Sequence, residues 1–379
     1  MCESHINVTK QKWGIKTIPV TDAVGMALAH DVTEIRSGEF KGRAFRKGHI
    51  VRSEDICHLQ RLGKENLFVL SIGDDEMHED EAARTIAEAL MGDGVMMQGE
   101  PKEGKINIIA NRDGLLKVDR EALLRFNLMG DVMCATLHDN LPVKKGQIVA
   151  GTRAVPLVIK RDVVEKAVLA ARNTIEVREM RRPRVGVVIT GNEVYYGRIK
   201  DAFAPIIEKK IKDLNGQIIG IYYAPDDEKM IEDRLAELID AGADLLITTG
   251  GMSVDPDDVT RFAISKLGVA DMTYGSAVLP GAMFLVAYLE QKPEGRSSTT
   301  EEKAKRKNAR QRTYCPKHIP ILGIPACGMY HKTTVLDLIL PRVLAGEKIG
   351  RRELSDLGHG GLCMNCSECR YPACSFGKG

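Results

Sequence analysis

The chain has 379 residues, enough for two or three domains that each bury a core. Its 54 basic and 52 acidic side chains nearly cancel to a net +2, so no charge excess selects nucleic acid or an anionic membrane as partner. With 44% hydrophobic and 28% charged residues, a polar start at Met1-Cys2-Glu3-Ser4-His5 and no apolar run near the ~20 residues of a membrane span, the expectation is a soluble, cytoplasmic protein.

Residues 1–160 read as a mixed α+β region. Val32–Ile35 and Leu67–Ile72 have strand character. Between them, Ser53-Glu54-Asp55 precedes Ile56, Leu59 and Leu62 on one helical face, with Gly63 as the stop. A second helix is predicted from Asp80 to Met91, and further strands at Lys105–Ala110, Gly114–Val118 and Gln147–Ile159, separated by Gly and Pro turns. Residues 161–180 read as a polar helical linker.

From residue 181 the pattern becomes regular. Val185–Ile189, Ile218–Tyr223 and Leu245–Thr248 are buried-type strands, and each is followed by a helical pattern. The first pattern carries Phe203, Ile206, Ile207, Ile211 and Leu214. The second carries Ile231, Leu235, Leu238 and Ile239 behind a cap at Asp226-Asp227, and the third is placed from Pro256 to Leu267 with Asp255 as its cap. Residues 291–317 are rich in Lys, Arg, Ser and Thr without periodicity and read as a mobile basic insertion, a solvated loop rather than a nucleic-acid site. Ile319–Ile324 resumes as a strand before a helix holding Val335, Leu338, Ile339 and Leu344. The fold class is α/β, a parallel sheet with helices on both faces over residues 181–346.

Ligands of such sheets bind beyond the carboxyl ends of the strands. Three strand ends here carry suggestive loops: Thr190-Gly191-Asn192-Glu193, Thr248-Thr249-Gly250-Gly251-Met252-Ser253 and Ile324-Pro325-Ala326-Cys327-Gly328. Gly250 and Gly251 let a ligand approach the backbone N–H groups, Ser253 adds a hydroxyl, and a helix start beyond them suits phosphate. Asp255, Asp257 and Asp258 are close enough in sequence to hold Mg²⁺ beside a phosphate, although acids also favour any helix first turn through its dipole. Glu193 could equally pair with a surface cation.

Thr190-Gly191-Asn192-Glu193-Val194 with Gly197, Asp226-Asp227, Thr248-Thr249-Gly250-Gly251 and Asp258-Val259-Thr260 resemble the molybdopterin-binding domain of cofactor biosynthesis proteins. Pro280-Gly281, Gly323-Ile324-Pro325, Pro341 and Gly346 match its later landmarks. The resemblance implies binding of molybdopterin or its adenylylated form. Thr190, Gly191, Glu193, Gly250, Gly251, Ser253, Pro280 and Gly281 would hold the ligand, and Asp258 and Asp226 would act as catalytic residues with Mg²⁺. Two enzymes use this domain, the molybdenumtransferase and the MgATP-dependent adenylyltransferase; a non-catalytic carrier or redox sensor is a third possibility. A long N-terminal region ending in a β-rich part, with Val24–Val32 similar to the opening of the transferase, favours molybdate insertion; a homo-oligomer is expected as well. Three departures stand against the transferase pattern: Phe40–Gly48 in place of its Ser-x-Met-Asp-Gly motif, Leu279 in place of a basic residue, and Ala326-Cys327-Gly328 in place of Gly-Asn-Pro.

In the tail, residues 347–379, Cys363, Cys366, Cys369 and Cys374 supply four soft ligands at spacings x2, x2 and x4. In a reducing compartment that density points to Zn²⁺ or an iron–sulfur cluster rather than disulfides. With few apolar residues beyond Leu362, Met364, Tyr371 and Phe376, the tail is expected to lie outside the α/β domain.

Overall fold

The computed structural model describes residues 15–26, 28–36, 40–70, 74–252, 255, 258–290 and 318–379. The basic segment 291–317 and Ser253, Pro256 and Asp257 lie outside the described residues. The chain divides into two compact units, residues 1–138 with 143–178, and residues 139–142 with 179–379. Among the described residues no helix is long and apolar enough to cross a membrane.

The first unit is α+β, as expected. Its larger sheet is antiparallel, ordered Val95–Met97, Lys105–Ala110, Ile148–Ala154, Val132–Thr136. The helix Glu79–Leu90 buries Ala82, Ala83, Ile86, Ala87 and Leu90, the i, i+3, i+4, i+7 stripe that its sequence prescribes. A smaller core, built on Val20, Leu28, Val32, Phe45, Val51, Leu59 and Leu67, joins the strand pairs Ile15–Pro19 with Asn66–Leu70 and Val32–Arg36 with Phe40–Phe45. Residues 161–178 are not a connector. Arg161–Ala170 is a helix that buries Val164 and Ala167, and Ile175–Arg178 pairs with Gly114–Val118, so this stretch completes the first unit. One helix escaped the sequence reading: Arg120–Asn127, capped by Asp119, whose side chain accepts the N–H of Ala122 at 2.9 Å.

The second unit carries one six-stranded sheet. Its strands are β1 (Arg184–Thr190), β2 (Gln217–Ala224), β3 (Leu245–Thr249), β4 (Asp271–Tyr274), β5 (Leu285–Glu290) and β6 (His318–Ile324). The sheet order is β2-β1-β3-β6-β5-β4. The first four are mutually parallel, whereas β4 and β5 run antiparallel at one side. The α/β class therefore stands, with a mixed rather than wholly parallel sheet. β4 and β5 run antiparallel because only the short segment 275–284 joins them, too little chain for the helical crossover a parallel pair needs.

The helices are α1 (Asn192–Tyr195), α2 (Phe203–Asp213), α3 (Glu228–Asp240), α4 (Thr260–Lys266), α5 (Val335–Leu344) and α6 (Arg351–Asp356). Alternation along the strands sorts the core into two faces. Val185, Val187, Ile189, Ile247 and Leu322 pack with α2 and α5, while Val188, Leu246 and Ile321 pack with α3 and α4. The helix expected from Pro256 begins at Thr260 and has seven residues. Asp255 does not cap it; its N–H is bonded instead to Asp258 Oδ2 at 3.0 Å.

The tail is part of this unit rather than an appendage. Phe376 is buried in the core that contains Leu338 and Leu354, and Cys363, Tyr371 and Cys374 pack against it. Tyr371 donates its hydroxyl to the carbonyl of Asp337 on α5 at 3.2 Å. Phe376 and Tyr371 suffice because they pack against the core that α5 belongs to, while Leu362 and Met364 stay exposed, so the tail borrows a core instead of building one.

Candidate functional site

Register brings the strand ends together. Ile189 pairs with Thr249, Thr249 with Ile324, and Thr190 with Ala224, so four consecutive parallel strands finish level with one another. The loops that follow them share one sheet edge, the position at which open α/β sheets bind ligands.

At this edge a cavity of about 420 Å³ is lined by Gly250, Gly251, Met252, Asp258, Leu279, Pro280, Gly281, Ala282, Met283, Pro325, Ala326 and Cys327. Of the residues expected from sequence, Gly250, Gly251, Asp258, Pro280 and Gly281 line this cavity. Thr190, Gly191, Glu193 and Asp226 are not among the lining residues, and Ser253 lies outside the described residues. Met252, Ala282 and Met283 were missed. Their small or flexible apolar side chains have no chemical signature in a sequence, and only the level strand ends bring them to one hollow.

The glycines are required first by the protein itself. Gly250 has φ +80°, and a Cβ there would stand 2.3 Å from the Thr190 carbonyl oxygen. Gly251 has φ +58°, with its hypothetical Cβ 2.3 Å from Thr260 Oγ1. Both conformations are ones that L side chains seldom adopt. Apart from any ligand, these glycines let the loop fold back onto β1 and α4.

Thr190 supports that loop rather than lining the cavity. Buried, it donates its hydroxyl to the Thr249 carbonyl at 2.9 Å and accepts the Thr260 hydroxyl at 3.0 Å. Asp226 similarly ties two strand ends, its carboxylate accepting the N–H of Asn192 at 3.0 Å. Asp227 caps α3 by accepting the N–H of Met230 at 2.8 Å, while Glu193 is exposed on α1. The other wall is fixed as firmly. Ser276 donates to the Gly281 carbonyl at 2.8 Å, and Tyr274 donates to the Met252 carbonyl at 2.5 Å. Arg261, absent from the sequence reading, lies over the Tyr274 ring 5.5 Å from its centroid and brings a cation beside that anchor. Burial pushes the Cys327 thiol above its ordinary range, which keeps it protonated and a poor nucleophile.

This hollow, at the carboxyl ends of parallel strands and with a double-glycine loop and one acid in its wall, is the candidate site of an α/β domain. Residues 186–345 match the family described as the probable molybdopterin binding domain. Residues 17–71 match a domain of unknown function. Over 83 residues, the sequence is 39% identical to a CinA-like protein of Mycobacterium avium (strain 104), covering 22% of this chain and 19% of that protein. The chain thus spans about a fifth of the length of the curated relatives it matches. Among solved structures, it is similar to the tungsten cofactor synthesizing protein MoaB from Pyrococcus furiosus, with 15% identity, coverage of 44% of this chain and 97% of that one, and a TM-score of 0.31. It is also similar to the protein CinA with unknown function from Thermoplasma acidophilum, with 24% identity, coverage of 24% and 56%, and a TM-score of 0.23.

Proposed function

We propose that the second unit binds molybdopterin or its adenylylated form in the cavity at the ends of β3 and β6, and that the chain inserts molybdate into it, working as a homo-oligomer. The observation that carries this reading is the placement of Gly250, Gly251 and Asp258 around one cavity inside the stretch that matches the molybdopterin-binding family. Backbone N–H groups of the double-glycine loop would hold the phosphate, and the apolar wall of Met252, Leu279, Pro280 and Met283 suits the flat pterin.

Mg²⁺ is held in such sites by one or two carboxylates, with water and substrate phosphate completing its shell. Asp258, half-buried in the wall with one carboxylate oxygen on the Asp255 N–H, fits that pattern and would be its protein ligand. The bound ion would neutralise phosphate charge. Asp226 would act at one remove, by holding Asn192 and the end of β1 in place. The protein's contribution is then positioning and charge neutralisation, with no side chain required as a nucleophile.

The test is to incubate the full chain with adenylylated molybdopterin, Mg²⁺ and molybdate and to follow AMP. Molybdate-dependent AMP release is expected. Release of pyrophosphate from MgATP and molybdopterin, without molybdate-dependent AMP, would assign the adenylyltransferase reaction instead. Tight binding with neither product would make the protein a carrier.

A further inference from the structure

We propose that Cys363, Cys366, Cys369 and Cys374 ligate one iron–sulfur cluster, and that this cluster stiffens the wall of the pterin cavity. All four cysteines line a single cavity of about 240 Å³, and all four are free thiols. Among the described residues no group of three or more His, Cys, Asp or Glu side chains already stands as a metal site, so binding would draw the thiols together. Four cysteines on the wall of one hollow supply the all-thiolate ligand set that an iron–sulfur core takes.

The surroundings suit such a core. The Thr333 hydroxyl lies 3.1 Å from Cys369 Sγ, and the N–H of Asn365 points at Cys363 Sγ at 3.5 Å. Polar hydrogens on cluster sulfurs are among the features that tune such centres. Tyr371 and Phe376 supply an apolar wall, and they are fixed by α5 and the core behind it.

The link to the pterin cavity is covalently short and hydrogen-bonded. Leu362, in the cysteine cavity, pairs in parallel with Leu279, in the pterin cavity. Leu279 donates its N–H to Gly361 at 2.8 Å, and Cys363 donates its N–H to Leu279 at 2.8 Å. The segment after Pro325-Ala326-Cys327 continues into Tyr330–Thr333, which line the cysteine cavity. Both walls of the pterin cavity opposite the double-glycine loop therefore continue into the cysteine site. Fixing Cys363 in a cluster fixes the partner of Leu279.

The test uses the full chain produced in iron-replete cells and purified anaerobically. Iron and acid-labile sulfide in near-equal amounts, about two to four of each per chain, with visible absorption, are expected. Cys366→Ser and Cys369→Ser, both at exposed positions, should each lose at least half of that iron. Stoichiometric zinc without sulfide, or no metal, overturns the cluster, as does full iron in both variants. The stiffening is read by amide hydrogen exchange before and after the cluster is stripped with an iron chelator. Exchange at the Leu279 and Cys363 amides should speed by at least ~tenfold on stripping, and unchanged exchange overturns the coupling. Neither readout involves pterin, so this proposal can fail while the pterin reading stands, and the reverse.

Discussion

The hydroxyls of Thr190, at the end of β1, and Thr260, at the start of α4, lie 3.0 Å apart in a site closed to solvent. Between them runs the Gly250-Gly251 turn, whose missing side chains make that approach possible. Thr190 makes two hydrogen bonds and Thr260 shares one of them. A buried hydrogen bond contributes about 1 kcal/mol, and stranding its partner costs more. Thr260→Val should therefore destabilise the second unit by about 1 kcal/mol and Thr190→Val by about 2 kcal/mol. Equal urea midpoint shifts for the two variants would show that the bond to the Thr249 carbonyl carries no weight.

Asp258→Asn keeps an oxygen for the Asp255 N–H but removes the charge from the cavity wall. Folding should be unchanged, with the same thermal midpoint, while molybdate-dependent AMP release falls by at least ~10²-fold, the size expected on losing a positioned charge. Wild-type turnover in this variant would leave Asp258 as a turn-former only.

Phe376 is 3% exposed, in contact with the main core of the second unit. Phe376→Ala should cost about 3–5 kcal/mol, the usual range for emptying a buried phenylalanine site. A loss below 1 kcal/mol, measured by denaturant unfolding, would mean that the tail is dispensable to the core, as its composition alone suggests.

Glu79, in the first unit, is almost fully buried, and burial followed by the nearby Asp80 charge raises its carboxyl from the ordinary 4.5 to about 7. The folded state holds this proton more tightly than the unfolded chain does. Stability is therefore greatest below about pH 4.5 as far as this group is concerned, falls as pH rises to about 7, and stays reduced above that. The loss amounts to up to ~3 kcal/mol. Glu79→Gln should be more stable than the parent at pH 8 and close to it at pH 5. Identical pH profiles for the two proteins would contradict the assignment.

Much of the second unit was legible because its strands are buried on both faces. Val185–Ile189 and Leu245–Thr248 could scarcely be anything else, and their level ends follow once the strands are parallel. The antiparallel edge was not legible. Asp271–Tyr274 is partly exposed, and its apolar content does not distinguish it from a loop. The third helix was placed too early: Asp258 and Val259 are not helical, and the Asp258 carboxylate accepts the N–H of Asp255 instead of standing inside a helix. Thr190 was singled out as a ligand contact; its hydroxyl is engaged by the Thr249 carbonyl and by Thr260, partners that a sequence does not reveal. The tail was misjudged because its few apolar residues were counted against a core of their own.

The sheet order also has a consequence for synthesis. β6 lies between β3 and β5, yet it is the last of the six strands to leave the ribosome. Until it emerges, the double-glycine loop belongs to one half-sheet and Pro280-Gly281 to a separate hairpin, each with a bare edge where β6 will lie. The cavity therefore closes in one late step instead of growing with chain length. A nascent chain stalled before residue 318 would expose two sticky edges and no working site, so the interval between making β5 and making β6 is when this protein most needs a chaperone.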